Sequence, residues 1–171
     1  MANIAPKSGN AGTTTVTITP TAYGGNTDKI QTFRFACGSS HVDLKITTKA
    51  ADPFITQASP IEITIPAEGG RGEVRVQTNA KNFIVRLASQ YNITIDIAIQ
   101  YHGAIVDQRK LQTNNEVNID LRGIASSEPG IVSIIPVFPA NTSGVAFRSQ
   151  IVVWANDKTK TPYQARVIQE G

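Results

Sequence analysis

Apolar and polar residues alternate with a period of two along most of this chain. Val16 and Ile18 stand among threonines. Phe33 and Phe35 follow, then Val42, Leu44 and Ile46, then Ile61, Ile63 and Ile65, then Val74 and Val76, then Phe83, Val85 and Leu87. The clearest run is "NITIDIAIQY", where Ile93, Ile95, Ile97, Ile99 and Tyr101 share one side and Thr94, Asp96, Ala98 and Gln100 the other. Later runs are Val117, Ile119 and Leu121; Ile131, Ser133, Ile135 and Val137; Ile151 and Val153; and Ala165, Val167 and Gln169 opposite Arg166 and Ile168. Each run predicts a strand that gives one face to a core and one to water. No stripe with a helical period occurs, and Leu is scarce beside Val, Ile and Thr.

The breaks between runs carry turn chemistry. Gly24-Gly25-Asn26, Gly69-Gly70, Asn79 to Asn82, His102-Gly103, Asn114-Asn115, Pro129-Gly130, Asn141 to Gly144 and Asn156-Asp157 supply residues that tolerate positive φ or bond their own backbone. Short strands with regular turns point to an antiparallel sandwich or barrel. Pro136, Pro139 and Pro162 lack an N–H for a ladder, so each predicts an edge or a strand end. Lys110 and Lys158 to Lys160 would further discourage edge pairing. The first twelve or so residues, rich in Gly, Asn, Ser and Ala, read as a flexible arm, either frayed or ordered against a neighbouring subunit.

Composition narrows the function classes. The 171 residues include 16 basic and 13 acidic side chains, for a net charge of +3. Arg71, Arg75, Lys81 and Arg86 are spread along alternating strands, a solvated face rather than a nucleic-acid track, so no nucleic-acid partner is expected. The single cysteine, Cys37, cannot form an internal disulfide and is expected as a small, buried or half-buried residue. His41 and His102 lie far apart in the chain, and no CxxC or His/Cys metal spacing exists, so no metal or other cofactor is expected. The N-terminus lacks the charged and apolar regions of a secretory signal, and no apolar run is long enough to span a bilayer. Synthesis in a cytoplasm, without a membrane partner, is the expectation. No G-x-S-x-G occurs, and no spacing selects a carboxylate pair, so enzyme activity is not expected.

Two stretches share a pattern: alternating apolar residues, a proline, Gly-Gly, then a second alternating strand. The pattern occurs at Ile18 to Phe35 and at Ile63 to Val76. Glycines relieve the backbone twist of a tight strand-to-strand connection. Gly69-Gly70 is therefore read as a corner; a phosphate cradle would need a helix after it, and "GEVRVQT" is a strand pattern.

The second copy resembles a known family. "IEITIPAEGGRGEVRVQTN" followed by "FIVRLA", with "GIVSIIPVFPANTSGVAFRSQIVVWAND" and "YQARVIQEG", is similar to the BACON domain, the Bacteroidetes-associated carbohydrate-binding, often N-terminal, module. Asn141, Thr142, Arg148, Gln169 and Gly171 stand where that family's pattern expects them. The resemblance covers roughly residues 60 to 100 and 129 to 171. It departs at Phe83, where the family has a Trp, and in a stretch near 102–128 that looks inserted. The fold it implies is an all-β, antiparallel immunoglobulin-like β-sandwich. The organisation expected is a flexible arm plus an N-terminal β unit over 1–57, a partial repeat, and a BACON-like sandwich over 58–171; a split near residue 90 is the rival.

Sugar binding would use exposed aromatic faces. The weak candidates are Trp154, whose parity opposes Ile151 and Val153, Tyr163 at the start of the last strand, and Tyr91 beside the isoleucine run, with ordinary packing the alternative for each. The "NIT" at 92 and "NTS" at 141 match glycosylation sequons and are read as chance matches. BACON-like sandwiches also occur in virion proteins of phages that infect Bacteroidetes. The expected function is thus a non-enzymatic structural protein of a virus particle, located in the virion: a capsid auxiliary, decoration, fibre or vertex protein. Its partners would be other virion proteins or itself. The alternative is a carbohydrate- or mucin-binding module, with glycans as ligands.

Overall fold

The computed structural model describes residues 2–5, 8, 9, 12, 14–123, 129–155, 158 and 160–171. Every regular element among them is a β-strand, and the chain divides into two compact units, Met1–Ala51 and Asp52–Gly171. The expected turn at Asn156-Asp157 lies outside the described residues.

In the first unit, β1 (Ala2–Ala5) pairs antiparallel with β2 (Thr17–Pro20), so the stretch expected as an arm contains a strand. A longer hairpin follows, β3 (Lys29–Cys37) and β4 (Ser40–Thr48), turning at Gly38 with φ of 59°. Its register sets Phe33 opposite Leu44 and Phe35 opposite Val42, which gathers Phe33, Phe35, Val42, Leu44 and Ile46 on one face. The other face carries Thr32, Lys45 and a bidentate pair in which Arg34 donates to Asp43 at 2.8 and 2.9 Å. Asp28 ties the hairpin's base, accepting from Lys49 Nζ at 2.7 Å and from the Ala50 amide at 2.9 Å. No hydrophobic side chain described in this unit is buried; Ile30 and Val42 are 65% and 70% exposed. Cys37, expected buried or half-buried, is exposed, because it ends β3 at the hairpin tip, where Gly38, Ser39 and Ser40 are exposed too.

The second unit is a two-sheet sandwich. Its strands are β5 (Ile55–Ser59), β6 (Glu62–Ile65), β7 (Gly70–Arg71), β8 (Val74–Thr78), β9 (Asn82–Ser89) and β10 (Thr94–Tyr101). They continue as β11 (Ala104–Gln112), β12 (Glu116–Asp120), β13 (Gly130–Phe138), β14 (Phe147–Trp154) and β15 (Tyr163–Gln169). One sheet runs β11-β10-β13-β8-β5, with β7 also on β13; the other runs β12-β9-β14-β15-β6. All pairings are antiparallel except β6 with β15. The stretch between residues 102 and 128 thus supplies an edge strand to each sheet, β11 to one and β12 to the other.

Alternation becomes burial here. In β10 the sides separate fully: Ile95, Ile97, Ile99 and Tyr101 are buried, and Thr94 and Asp96 are exposed. They meet Phe83, Val85 and Leu87 of β9 and Ile151 and Val153 of β14 in one core. Each such aliphatic or aromatic side chain contributes roughly 1.5–3 kcal/mol by leaving water.

The first strand of the sandwich is broken at Pro60: β5 belongs to one sheet and β6 to the other. The Tyr163 hydroxyl donates to the Pro60 carbonyl at 2.6 Å and pins the crossing. The Gly69-Gly70 corner is now explained. Gly69 has φ of 89°, and a Cβ there would lie 2.7 Å from the Phe138 carbonyl oxygen. Gly70, with φ of 153°, pairs directly with Phe138. Pro136 departs from its expected edge position, since β13 has neighbours on both sides. The reason is local: the Pro136 carbonyl accepts from the Gly72 amide at 2.9 Å, so its missing N–H faces the gap between β7 and β8. Pro139 and Pro162 stand just outside strand ends.

Candidate functional site

Of the residues that carry the resemblance, Asn141, Gln169 and Gly171 hold loops in place. Asn141 is buried; its amide donates to the Val145 and Glu170 carbonyls, both at 2.8 Å, and its oxygen accepts from the Ser143 amide and hydroxyl. Gln169 donates to the Pro139 carbonyl at 2.6 Å. A Cβ on Gly171 would meet the Val145 backbone at 2.4 Å. Asn141 thereby uses both its donors on the fold and is a structural clasp, with none left to aim at a ligand. Sequence reasoning missed a second clasp: Thr78 Oγ1 donates to the Phe54 carbonyl at 2.7 Å, and Asn79 accepts from the Phe54 amide at 2.9 Å. Its only signal was the Thr-Asn pair at the end of β8.

The three candidate aromatics do not form one site. Tyr163 is buried, its ring in the core and its hydroxyl on Pro60. Tyr91 is half-buried and stacked on Phe147, ring centroids 4.2 Å apart. Trp154 is half-buried on the outer side of its sheet, opposite Ile84, with Lys158 Nζ 6.0 Å from the ring centroid. Lys158 in turn pairs with Glu116. Phe147 and Trp154 begin and end β14, so Tyr91 and Trp154 are separated by about 23 Å of strand.

Shallow depressions mark the outer faces of the sandwich, two of them lined by mixed charges. One, of about 410 Å³, is lined by Glu62, Ala88, Gln90, Arg148, Gln150 and Arg166, with Arg166 paired to Glu62 at 3.2 Å. The other, about 630 Å³, is lined by residues including Glu73, Arg75, Gln100, His102 and Ser133. Electrostatics favours pairing rather than proton transfer. Arg122 holds the Asp120 carboxyl down at about 2. Asp28 is lowered chiefly by its hydrogen bond from Lys49, and Asp43 by that from Arg34. Burial alone pushes the Tyr163 hydroxyl up. A general acid at neutral pH needs a carboxyl shifted the other way. Among the described residues no group of three or more His, Cys, Asp or Glu side chains is placed to hold a metal ion.

An exposed apolar surface lies in the first unit. The apolar side of the β3–β4 ribbon, with Val42 70% and Leu44 38% exposed, faces away from the Arg34–Asp43 pair. A two-stranded ribbon is marginal alone in water and gains stability when its apolar face is covered.

No protein-family model matches the chain. No curated protein matches it. Among solved structures it is similar to a variant of CfaE, the CFA/I adhesin of enterotoxigenic Escherichia coli, at 8% identity and a TM-score of 0.50. That match covers 86% of this chain and 59% of CfaE. It is also similar to a xyloglucanase of Bacteroides ovatus solved with a heptasaccharide, at 9% identity and a TM-score of 0.41, over 68% of this chain and 19% of that one. At such identity the CfaE likeness bears on fold alone. With the topology above, it defines the class: an all-β protein built on an antiparallel immunoglobulin-like β-sandwich.

Proposed function

We propose that this protein is a non-enzymatic structural protein that acts by protein–protein contact, and that it belongs to a virus particle as a capsid auxiliary, decoration, fibre or vertex protein. One observation carries the contact half of the proposal: the first unit gathers Phe33, Phe35, Val42, Leu44 and Ile46 on one face of a ribbon and buries none of them. Exposed apolar surface of this kind marks an interaction site more often than a catalytic one. The particle half is supported by the likeness of Ile61 to Ala88 and Gly130 to Gly171 to BACON domains, a module also used in phage virions.

The test is co-expression with the coat protein encoded in the same genome, followed by sucrose-gradient sedimentation. The chain is expected to travel with the assembled coat. Free sedimentation, combined with strong sugar-specific binding on a glycan array that Trp154→Ala abolishes, would replace this reading with the carbohydrate-binding one.

A further inference from the structure

We infer that β4 is a self-pairing edge, through which a second copy of this chain extends the ribbon into a four-stranded sheet. This rests on the contact-forming reading of the first unit and names its partner. Among the described residues β4 has a strand neighbour on one side only, β3. Every residue from Ser40 to Lys45 is exposed. The strand is nine residues long and pairs with β3 without a register shift, from Lys29 opposite Thr48 to Cys37 opposite Ser40. It has neither proline nor bulge. Long, flat, exposed edges invite pairing, and proteins normally blunt them. The sandwich does so on β11: Asp107 and Arg109 stand opposite the core residues Ile99 and Ile97 and so point to the core side of an edge strand.

The order of residues along β4 selects the partner. A two-fold axis through Leu44 pairs β4 antiparallel with itself and sets Leu44 opposite Leu44 of the second copy. Val42 then faces the second copy's Ile46 on the apolar side. On the polar side Asp43 faces its Lys45, and Lys45 faces its Asp43. Shifting the axis by one residue sets Asp43 against Asp43, or Lys45 against Lys45, which cross-strand pairing disfavours. One register alone therefore combines apolar and charge complementarity. Within its own chain Lys45 stands opposite Thr32, not a carboxylate, whereas Asp43 already holds Arg34. The added strand gives Lys45 its counter-charge and raises the sheet above the three strands that independent stability needs. An isologous contact of this kind closes as a dimer.

Sedimentation equilibrium on the full chain across the micromolar range tests the inference. The wild type is expected to dimerise. Lys45→Glu and Asp43→Lys should each raise the dissociation constant about tenfold, because each turns two attractive pairs repulsive. Mixing the two variants should restore association, since a mixed pair sets opposite charges across the axis at both positions. Because Asp43→Lys also removes the Arg34 pair, a second measurement guards against misfolding. In a Cys37→Ser background, Leu44→Cys should cross-link to a disulfide dimer under mild oxidation, and Thr32→Cys should not. A monomer at all concentrations without cross-linking overturns the inference, and so does a dimer indifferent to both charge variants. A monomer that still travels with the coat would sink self-pairing and leave the assembly reading standing; a charge-sensitive dimer that never joins the coat would do the reverse.

Discussion

The two units are written in the same pattern and end in different states. "KIQTFRFAC" and "TIDIAIQY" both alternate apolar with polar residues. In β10 the apolar set is buried, whereas in β3 Phe33 and Phe35 are only half-buried. The difference is the number of layers. β10 has strand neighbours on both sides and a second sheet across the core; β3 has one neighbour in a two-stranded sheet. Alternation says which face is apolar. What covers that face is a separate question, settled by the rest of the fold or by another molecule.

The sharpest way to break this contrast is to remove equivalent apolar groups from each unit. Phe83 is fully buried, so Phe83→Ala should cost about 4 kcal/mol in urea denaturation. Val42→Ala should stay within about 0.5 kcal/mol for the isolated chain, because Val42 is 70% exposed. A large cost at Val42 in dilute solution would mean that the ribbon is already covered. Glycines give the next contrast. Gly69→Ala meets both a positive φ and the Phe138 carbonyl and should cost about 2–3 kcal/mol. Gly38→Ala, with positive φ but open space, should cost about 1 kcal/mol by the same measurement.

Tyr163→Phe should cost about 1 kcal/mol, since it leaves the Pro60 carbonyl without its donor. The same variant carries a pH signature. Burial raises the Tyr163 hydroxyl above its ordinary value of 10.0. The neutral ring's contribution is therefore fully present below pH 10 and is lost as pH rises through the raised value. Thermal melts above pH 10 should fall less steeply for Tyr163→Phe than for the wild type. The smallest effect concerns the exposed ion pairs of both units. The Asp120 carboxyl, held at about 2 by Arg122 against an ordinary 3.8, keeps its contribution above the ordinary value and loses it as pH falls towards 2. Arg122→Gln should return its NMR titration midpoint towards 3.8, with little change in the melt because the pair is fully solvated.

Much of the fold was legible because strand faces and glycine corners are local properties. The two faces of β10 and the turn at Gly69-Gly70 can be read directly from neighbouring residues. Tyr163 stands among the sugar-binding candidates with ordinary packing the alternative; its parity with Ala165 and Val167, both buried, is the signal that sets its ring in the core. Pro136 was misread because a gap between β7 and β8, residues far away in sequence, decides whether its missing N–H matters. The run Ile131, Ser133, Ile135 and Val137 points to the wrong face: Val132, Ile134 and Phe138 enter the core and Val137 is exposed, because β13 is apolar on both sides and alternation there cannot choose between them. Ile135 and Val152 are nonetheless buried on the outer sides of their sheets, at 3% and 5% exposure. The Thr78-Asn79 clasp was out of reach, since its partners are backbone groups of the distant Phe54 and carry no sequence mark, whereas the turn at Asn141 was legible from its local bonds to Ser143 and Val145 and only its bond to the Glu170 carbonyl was not.

The parallel pairing of β6 with β15 has a mechanical consequence. These strands lie next to the two ends of the sandwich, and they run side by side in one direction, Glu62 beside Arg166 and Ile65 beside Gln169. A tension pulling those ends apart loads the whole β6–β15 ladder at once, in shear, instead of peeling it open one rung at a time. Once β5 has come away, the rungs from Glu62–Arg166 to Ile65–Gln169 would have to part together.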